Sequence, residues 1–221
     1  MITVHHLNNS RSQRLLWMLE EMGTPYEVKH YQRDETSNLA PAELKEVHPL
    51  GKSPVITDNG VVVAETGNII DYLSRQYAPE LIPDESTPAY RQYSYWMHYA
   101  EGTLMPNLIM KLIFDKVKTS SMPFFAKPIA KAIAGNVMSS YVQPNIDINM
   151  QFVDDHLKTN TWFCGDELSG ADIQMSFPLE AVVSRGGADN YPNIQAYVKR
   201  FRQRPAYQAA LEKGGEYDYG G

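Results

Sequence analysis

Residues 50–70, LGKSPVITDNGVVVAETGNII, decide the fold of this chain. Asn59-Gly60 separates two short runs rich in β-branched residues, and this dipeptide readily takes the positive φ angles of a tight hairpin turn. We therefore predict strands over 55–58 and 61–64, joined as an antiparallel hairpin. Apolar residues recur at helical spacing after Thr66, which predicts a helix over 67–77.

Pro54 opens the first of these strands and has no N–H to give to a neighbouring strand. If the Ser53–Pro54 peptide bond is cis, the N–H and C=O of Ser53 turn toward solvent, where a short extended peptide can bind them as an added strand. Thr66 lies at a helix start, whose free N–H groups and dipole attract a carboxylate. The stretch therefore predicts a two-part peptide-binding site, one part for an amide and one for an α-amino acid head group.

The preceding residues alternate between strand and helix. Their patterns predict strand 2–6, helix 12–22, strand 26–30 and a short helix over 42–47. A strand-helix-strand opening implies a parallel pair with a right-handed crossover, to which the hairpin adds an antiparallel edge. The fold class is therefore an α/β, thioredoxin-like N-terminal domain with the order βαβαββα.

From Pro88 onward the pattern predicts helices only. Long helical patterns cover 90–114 and 129–157, the second one bent or interrupted near Gly135 and Pro144. A proline-containing linker over 78–84 separates the two parts, so we predict domains at 1–80 and 87–221. The second domain is all-α and contributes an apolar pocket between the domains, for which the first long helix offers Tyr99, Met105, Leu108 and Leu112.

Ser169 and Asp172 form a capping box at a later helix start, with Asp in place of the usual Glu. We assign Asp172 to structure rather than to catalysis. The glycine- and tyrosine-rich tail, 214–221, is expected to fray unless it docks on the rest of the chain.

Composition bounds the function. The 221 residues carry a formal net charge of -6 and a pI near 5.5, without a basic stripe, which argues against nucleic acid as a partner. Apolar runs are too short for a membrane span and the N-terminus does not read as a signal peptide, so we expect a cytoplasmic protein. His5 and His6 point to opposite faces of a strand and the other histidines lack ligand spacing, so we expect no metal.

Cys164 is the single cysteine of the chain. One cysteine allows no intrachain disulfide, no dithiol redox pair and no cysteine cluster for zinc. Any thiol chemistry must therefore use the sulfur of a substrate.

The peptide-binding pair, together with Ser10 ahead of the first helix, resembles the glutathione transferase family over nearly the whole chain. The resemblance implies that glutathione is the co-substrate, that Ser53 and Pro54 bind its cysteinyl part, and that Glu65 and Thr66 hold its γ-glutamyl end. Lys52 would pair with the glycine carboxylate, or it is simply a solvated turn lysine.

The resemblance also implies that Ser10 is the catalytic donor that stabilises the glutathione thiolate, as in serine-type, bacterial and fungal-like members. Ser10 could instead cap the first helix, and Asn8, Asn9 or Ser12 could be the donor. Arg11 could serve the second substrate or the γ-glutamyl end. Glu101 would reach a neighbouring subunit in the homodimer that the resemblance implies, or it is a solvated helix charge.

The predicted function is a glutathione S-transferase that conjugates the glutathione thiolate to small, apolar, electrophilic compounds. A glutathione-dependent peroxidase acting on organic hydroperoxides would need the same thiolate. A ligand-binding or scaffold protein of the same fold is the alternative without catalysis.

Overall fold

The computed structural model describes residues 1–220. Its first part contains four strands and three helices: β1 Ile2–Leu7, α1 Gln13–Met22, β2 Tyr26–Tyr31, α2 Leu44–Val47, β3 Val55–Asp58, β4 Val61–Ala64 and α3 Thr66–Tyr77. The strands form one mixed sheet in the order β2-β1-β3-β4, with β1 and β2 parallel and the other neighbours antiparallel. The thioredoxin-like fold class and the predicted order of elements are confirmed.

The hairpin between β3 and β4 has the predicted bounds. Asn59 and Gly60 have φ angles of 48° and 87°, as a two-residue hairpin turn requires. Ile56 and Val63 lie opposite each other and are both buried, so one face of the hairpin packs on the core. Asp58 accepts hydrogen bonds from the hydroxyls of two tyrosines on α3, which ties the hairpin to that helix.

All regular elements of the second part are helices: α4 Pro88–Tyr99, α5 Met105–Thr119, α6 Ala126–Val137, α7 Gln143–Leu157, α8 Gly170–Ser184, α9 Pro192–Arg202 and α10 Pro205–Gly214. The predicted all-α character is confirmed. Between α3 and α4 the chain makes a short 3₁₀ turn at Pro79–Leu81. The domain limits of 1–80 and 87–221 remain a prediction about folding units.

Each of the two long helical patterns is interrupted by a π-helical turn, at Ala100–Leu104 and at Met138–Val142. The second interruption lies between the two predicted break points, Gly135 and Pro144. The prediction of one unbroken helix over 90–114 was wrong. The physical reason is Pro106, the second residue of α5, because a proline ring clashes with the carbonyl four residues earlier and a wider turn avoids that clash.

The two parts share one apolar core. Trp17 of α1 stacks on Phe201 of α9 with a centroid distance of 5.1 Å and meets Tyr207 of α10 edge-on at 5.9 Å. Gly170 starts α8 so close to α3 that a Cβ there would lie 2.8 Å from Cγ2 of Ile70. The helix that carries Thr66 is therefore held from both sides, by the hairpin and by α8.

The capping box at the start of α8 is confirmed. The N–H of Ser169 donates to one carboxylate oxygen of Asp172 at 2.9 Å, and the N–H of Phe163 donates to the other at 2.9 Å. Burial raises the pKa of Asp172 to about 6, against the lowering effect of these hydrogen bonds. No helix between residues 1 and 220 is both long and apolar enough to cross a membrane.

Candidate active site

Five residues singled out in the sequence meet at one cavity of about 360 Å³. Lys52, Ser53 and Pro54 line it from the segment before β3, while Glu65 and Thr66 line it from the start of α3. The fold brings these segments together because β3 and β4 are hairpin partners, so the residue before β3 and the residue after β4 lie at the same end of the sheet.

The wall before β3 is built around a cis peptide bond between Ser53 and Pro54. Ladder pairing of β3 with β1 begins at Val55, so Ser53 lies just outside the ladder. Its hydroxyl donates to the carbonyl of His5 on β1 at 2.9 Å, which anchors the segment to the sheet. The backbone of Ser53 is thereby fixed at the cavity wall.

The wall at α3 combines backbone strain with unused N–H groups. Glu65 has φ 69° and ψ 123°, a conformation that residues other than glycine rarely adopt and that costs about 1–3 kcal/mol. Its carboxylate is exposed and hydrogen-bonds to no other part of residues 1–220, while Thr66 is only 4% exposed. A ligand with an ammonium and a carboxylate can therefore find an acceptor at Glu65 and donors in the first turn of α3.

A charged cluster closes the same cavity from the helical part. The carboxylate of Glu101 accepts hydrogen bonds from Nε of Arg11 at 3.0 and 3.1 Å and from a terminal nitrogen of Arg14. Arg14 also donates to the carbonyl of Gln174. Glu101 and Arg11 line the cavity, whereas Arg14 is buried behind them.

The electrostatics of this cluster favour a charged carboxylate. Burial alone raises the pKa of Glu101, but the positive charges of Arg14 and Arg11 outweigh it, so the pKa lies below its ordinary value. Glu101 is therefore neither a solvated helix charge nor a free group at the surface. It neutralises a buried arginine and still presents a partly exposed edge, 32% of its side chain, to the cavity.

The sequence did not predict this cluster. Glu101 and Arg11 are 90 residues apart, and no local motif joins them. Glu101 belongs to the π-helical turn at Ala100–Leu104, which the helical pattern also failed to reveal. The signal that could have found the pair is Arg14 itself, because an arginine within the apolar pattern of α1 requires a buried acidic partner.

The hydroxyl of Ser10 does not line either of the cavities that Arg11 borders. The side chain is 5% exposed, its oxygen accepts the N–H of Ser12 at 3.2 Å, and it lies 2.8 Å from the hydroxyl of Ser12. Ser12 in turn contacts Nδ1 of His6 at 2.9 Å. Ser10 thus closes a short turn just before α1, whose N-cap residue is Ser12, and its hydroxyl belongs to a buried chain of hydrogen bonds.

Burial, with a smaller contribution from the charge of His30, lowers the pKa of His6 to about 4, so the ring is neutral near pH 7. A neutral imidazole offers one N–H and one acceptor nitrogen, and the hydroxyl of Ser12 can donate to Ser10, to Nδ1 of His6 or to the carbonyl of Leu7. When Ser12 donates to Ser10, the proton of Ser10 is free to point outward. When Ser10 donates to Ser12, that proton points inward.

Asn8 and Asn9 do face a cavity, of about 480 Å³, which Arg11 shares with the first one. Asn9 has a positive φ of 49°, and its side-chain oxygen accepts the N–H of Asp218 at 2.8 Å. The N–H groups of the same side-chain amide donate to no partner within residues 1–220, so they are available to a ligand. The C-terminal tail, through Asp218 and Tyr219, is docked along this cavity.

The second cavity has an apolar wall from the helical part. Met105, Leu108 and Leu112 of α5 line it as the sequence suggested. Tyr99 does not, because its ring is buried in the core and its hydroxyl donates to Asn149. The reason is the π-helical turn at Ala100–Leu104, because its wider turn rotates the side chains of α4 relative to those of α5 about the helix axis. Phe177 of α8 adds to the apolar wall.

Cys164 lies apart from both cavities. Burial raises the pKa of its thiol to about 12, so it carries no thiolate near pH 7. The structure over residues 1–220 contains no group of three or more His, Cys, Asp or Glu side chains placed to hold a metal ion. A third cavity, of about 640 Å³, lies between α3 and α4 and shares Glu65, Thr66 and Glu101 with the first.

Comparison with known proteins gives consistent matches. The N-terminal domain model of glutathione S-transferases matches residues 10–76, and the C-terminal domain model of the same family matches residues 137–205. Glutathione S-transferase 3 of Schizosaccharomyces pombe is 36% identical over 96% of this chain and 88% of its own length. Glutathione S-transferase 1 of Saccharomyces cerevisiae is 35% identical over 96% of this chain and 95% of its own.

A solved structure of a glutathione S-transferase has the same fold as this chain. The crystal structure of a glutathione S-transferase from Actinobacillus pleuropneumoniae superposes with a TM-score of 0.82 at 35% identity, covering 99% of this chain and 95% of that one. The similarity thus includes both the sheet and the helical part.

Proposed function

This chain belongs to the glutathione S-transferase family, and we propose that it uses Ser10, Lys52, Ser53, Pro54, Glu65 and Thr66 to join the sulfur of glutathione to small electrophilic compounds. The protein is a glutathione transferase with glutathione as its co-substrate. One observation carries the assignment of residues: the five docking residues line a single cavity, and Arg11 connects that cavity to a second one with an apolar wall.

The tripeptide fits the first cavity by chemistry. The backbone of Ser53 would pair with the cysteinyl amide as an added strand, and the start of α3 would bind the γ-glutamyl carboxylate. Glu65 and the exposed edge of Glu101 would accept from the ammonium. Lys52 is exposed on the cavity wall and would pair with the glycine carboxylate, a contact that contributes little because of its exposure.

Ionisation of the thiol is the main chemical task. A thiol with an ordinary pKa near 8.5 is about 3% ionised at pH 7, and lowering the pKa by about two units corresponds to about 2.7 kcal/mol of thiolate stabilisation. A hydroxyl or amide donor next to a helix start can supply much of this through a charge-assisted hydrogen bond.

We propose Ser10 as that donor. Turning only the hydroxyl hydrogen of Ser10 away from Ser12 keeps its oxygen as the acceptor of the Ser12 N–H and loses one neutral hydrogen bond, at a cost of about 1 kcal/mol. A hydrogen bond to a thiolate, of about 1.5–3 kcal/mol, outweighs that cost. Asn9, whose amide already faces the second cavity, is the competing donor. The two are separated by substitution.

The transfer step then needs no residue as a covalent intermediate. The thiol proton leaves to solvent, a sulfur electron pair forms the bond to the electrophilic carbon, and the leaving group departs with the electron pair of its own bond. The site contributes ionisation and placement of the reactants. We further propose a cytoplasmic homodimer with a role in detoxification, in which a second copy covers the cavity between α3 and α4.

The experiment is steady-state turnover of 1-chloro-2,4-dinitrobenzene with glutathione, comparing Thr66→Ala with Thr103→Ala. Thr103 is exposed in the π-helical turn and lines neither of the cavities that Arg11 borders. We expect Thr66→Ala to raise the KM for glutathione about tenfold, because the buried hydroxyl of Thr66 would no longer donate to the γ-glutamyl carboxylate beside the N–H groups of α3, and we expect Thr103→Ala to leave the KM unchanged. Equal KM values in the two variants would contradict the proposed site.

A further inference from the structure

The second cavity is rich in positive charge. Arg11, Arg33, Lys116 and Arg185 line it from four separate parts of the chain, and Asp218 is the acidic residue on its wall. The whole chain carries a formal net charge of -6, so this concentration of cations opposes the average charge of the protein. A cavity lined by one sign of charge raises the local concentration of ligands of the opposite sign.

Three of the four cations have no carboxylate at salt-bridge distance within residues 1–220. Arg11 is paired with Glu101, but no such pair involves Arg33, Lys116 or Arg185. Their positive charge is therefore available to a ligand.

Arg33 is held in place by neutral groups. Its guanidinium donates to the carbonyls of Asn8 at 3.2 Å, Asn38 at 3.1 Å and Asn9 at 3.4 Å. Of the five N–H donors of an arginine, these three bonds leave two free. Burial lowers the pKa of Arg33, and the charge of Arg11 adds to this lowering, whereas Tyr219 opposes it.

Arg185 and Lys116 stand at the exposed side of the cavity. Arg185 donates to the hydroxyl of Tyr219 at 2.8 Å and lies over its ring at 5.2 Å, so the docked tail orients the guanidinium. Lys116 extends from α5, one helical turn beyond Leu112. The cations thus surround an apolar floor made by α5 and by Phe177 of α8.

We propose that the second substrate of this transferase is an anion: an electrophile with an aromatic or aliphatic body and a carboxylate. The body lies on the α5 wall, and the carboxylate meets Arg33, Lys116 and Arg185. The cavity volume of about 480 Å³ suits a single-ring compound beside the glutathione sulfur. This inference rests on the proposed function, because the two cavities act on one reaction only if glutathione occupies the first.

The test compares two acceptors of nearly equal shape, 4-chloro-3-nitrobenzoate and 4-chloro-3-nitrobenzamide. In both reactions the glutathione thiolate forms a C–S bond at the chlorinated carbon and chloride leaves. Each kcat/KM is divided by the rate constant of the uncatalysed reaction, so that intrinsic reactivity cancels. We expect the wild type to favour the benzoate by about tenfold, and the preference to shrink at high ionic strength.

Two variants are compared: Lys116→Gln alone, and Lys116→Gln combined with Arg185→Gln. Lys116 makes no hydrogen bond to the C-terminal tail as far as residue 220, so the single variant leaves the tail's hydrogen bonds in place. The matched control is Arg91→Gln with Lys158→Gln, which removes the same charge at exposed positions that do not line the cavity. We expect the preference for the benzoate to fall severalfold in the single variant and about tenfold in the pair, and to persist in the control. A wild-type preference below about twofold, or a preference that survives the paired substitution, would overturn the inference.

Binding of the free acceptors without glutathione, followed by ligand NMR, tests the cavity separately. If the wild type binds the benzoate more tightly than the benzamide, and the paired variant does not, the anionic site is supported whether or not glutathione binds. A failure of glutathione to bind counts against the proposed function only. Equal binding of the two acceptors refutes the anionic site, even where the neutral acceptor is turned over and the transferase assignment stands.

Discussion

Replacing Glu101 by Gln removes the carboxylate that neutralises Arg14 while keeping the size of the side chain. Arg14 is 1% exposed and Glu101 is 32% exposed. Separating a fully buried ion pair costs about 3–5 kcal/mol, whereas an exposed pair is worth about 0–1 kcal/mol. Because water reaches one partner only, we expect Glu101→Gln to lower the free energy of unfolding by about 2 kcal/mol.

For a chain of this length, that loss corresponds to a fall in Tm of about 4–8 °C. Urea unfolding followed by tryptophan fluorescence measures it, since Trp17, Trp96 and Trp162 are all buried. The matched control is Glu85→Gln, whose carboxylate is 71% exposed and lies 3.9 Å from Arg75. We expect the control to change the free energy of unfolding by less than about 0.5 kcal/mol.

The pH dependence has a definite sign. The pKa of Glu101 is lowered in the folded protein from the ordinary value of 4.5, so its charged form is the one that stabilises the fold. The difference between wild type and Glu101→Gln should be fully present above pH 4.5 and should vanish as the pH falls through the lower, folded-state pKa. A Glu101→Gln variant as stable as Glu85→Gln at pH 7 would refute the role of this cluster.

Three further substitutions have expected outcomes. Asp172→Ala leaves the buried N–H groups of Ser169 and Phe163 without their acceptor, and thermal unfolding should show a loss of about 2–5 kcal/mol, whereas a loss below 1 kcal/mol would contradict the capping role. Gly170→Ala places a methyl group 2.8 Å from a side chain of α3, and chemical unfolding should show a loss of about 1–3 kcal/mol, whereas an unchanged free energy of unfolding would contradict the close packing of α8 on α3. Glu65→Gly relieves the strain of φ 69°, so calorimetry should show unchanged or higher stability together with weaker glutathione binding; lower stability with intact binding would contradict both roles.

Features that depend on local backbone conformation were predictable from the sequence. The turn at Asn59-Gly60 and the box at Ser169–Asp172 each follow from residue types within four positions of one another, and the structure has both. The cis bond before Pro54 was suggested by the same local reasoning and is present.

Features that depend on packing between distant segments were not predictable. The pairing of Arg11 with Glu101 joins residues 90 positions apart, one from each part of the fold, and the cationic cavity draws its charges from four segments. The helical pattern placed Tyr99 toward the pocket, although the π-helical turn directs it into the core. A sequence also does not predict which partner a serine hydroxyl contacts. Ser10 was therefore predicted to be the thiolate donor without knowledge of its contact with the hydroxyl of Ser12.

Thiolate absorbance of bound glutathione across a pH titration tests the central claim most directly, with wild type compared against Ser10→Ala and Asn9→Ala. The claim predicts a thiol pKa at least one unit below the ordinary 8.5 in the wild type, and its return toward 8.5 in Ser10→Ala with Asn9→Ala unaffected. The opposite pattern would transfer the donor role to Asn9. Bound glutathione with an unshifted pKa, or no bound glutathione, would contradict a thiolate-activating site in this cavity.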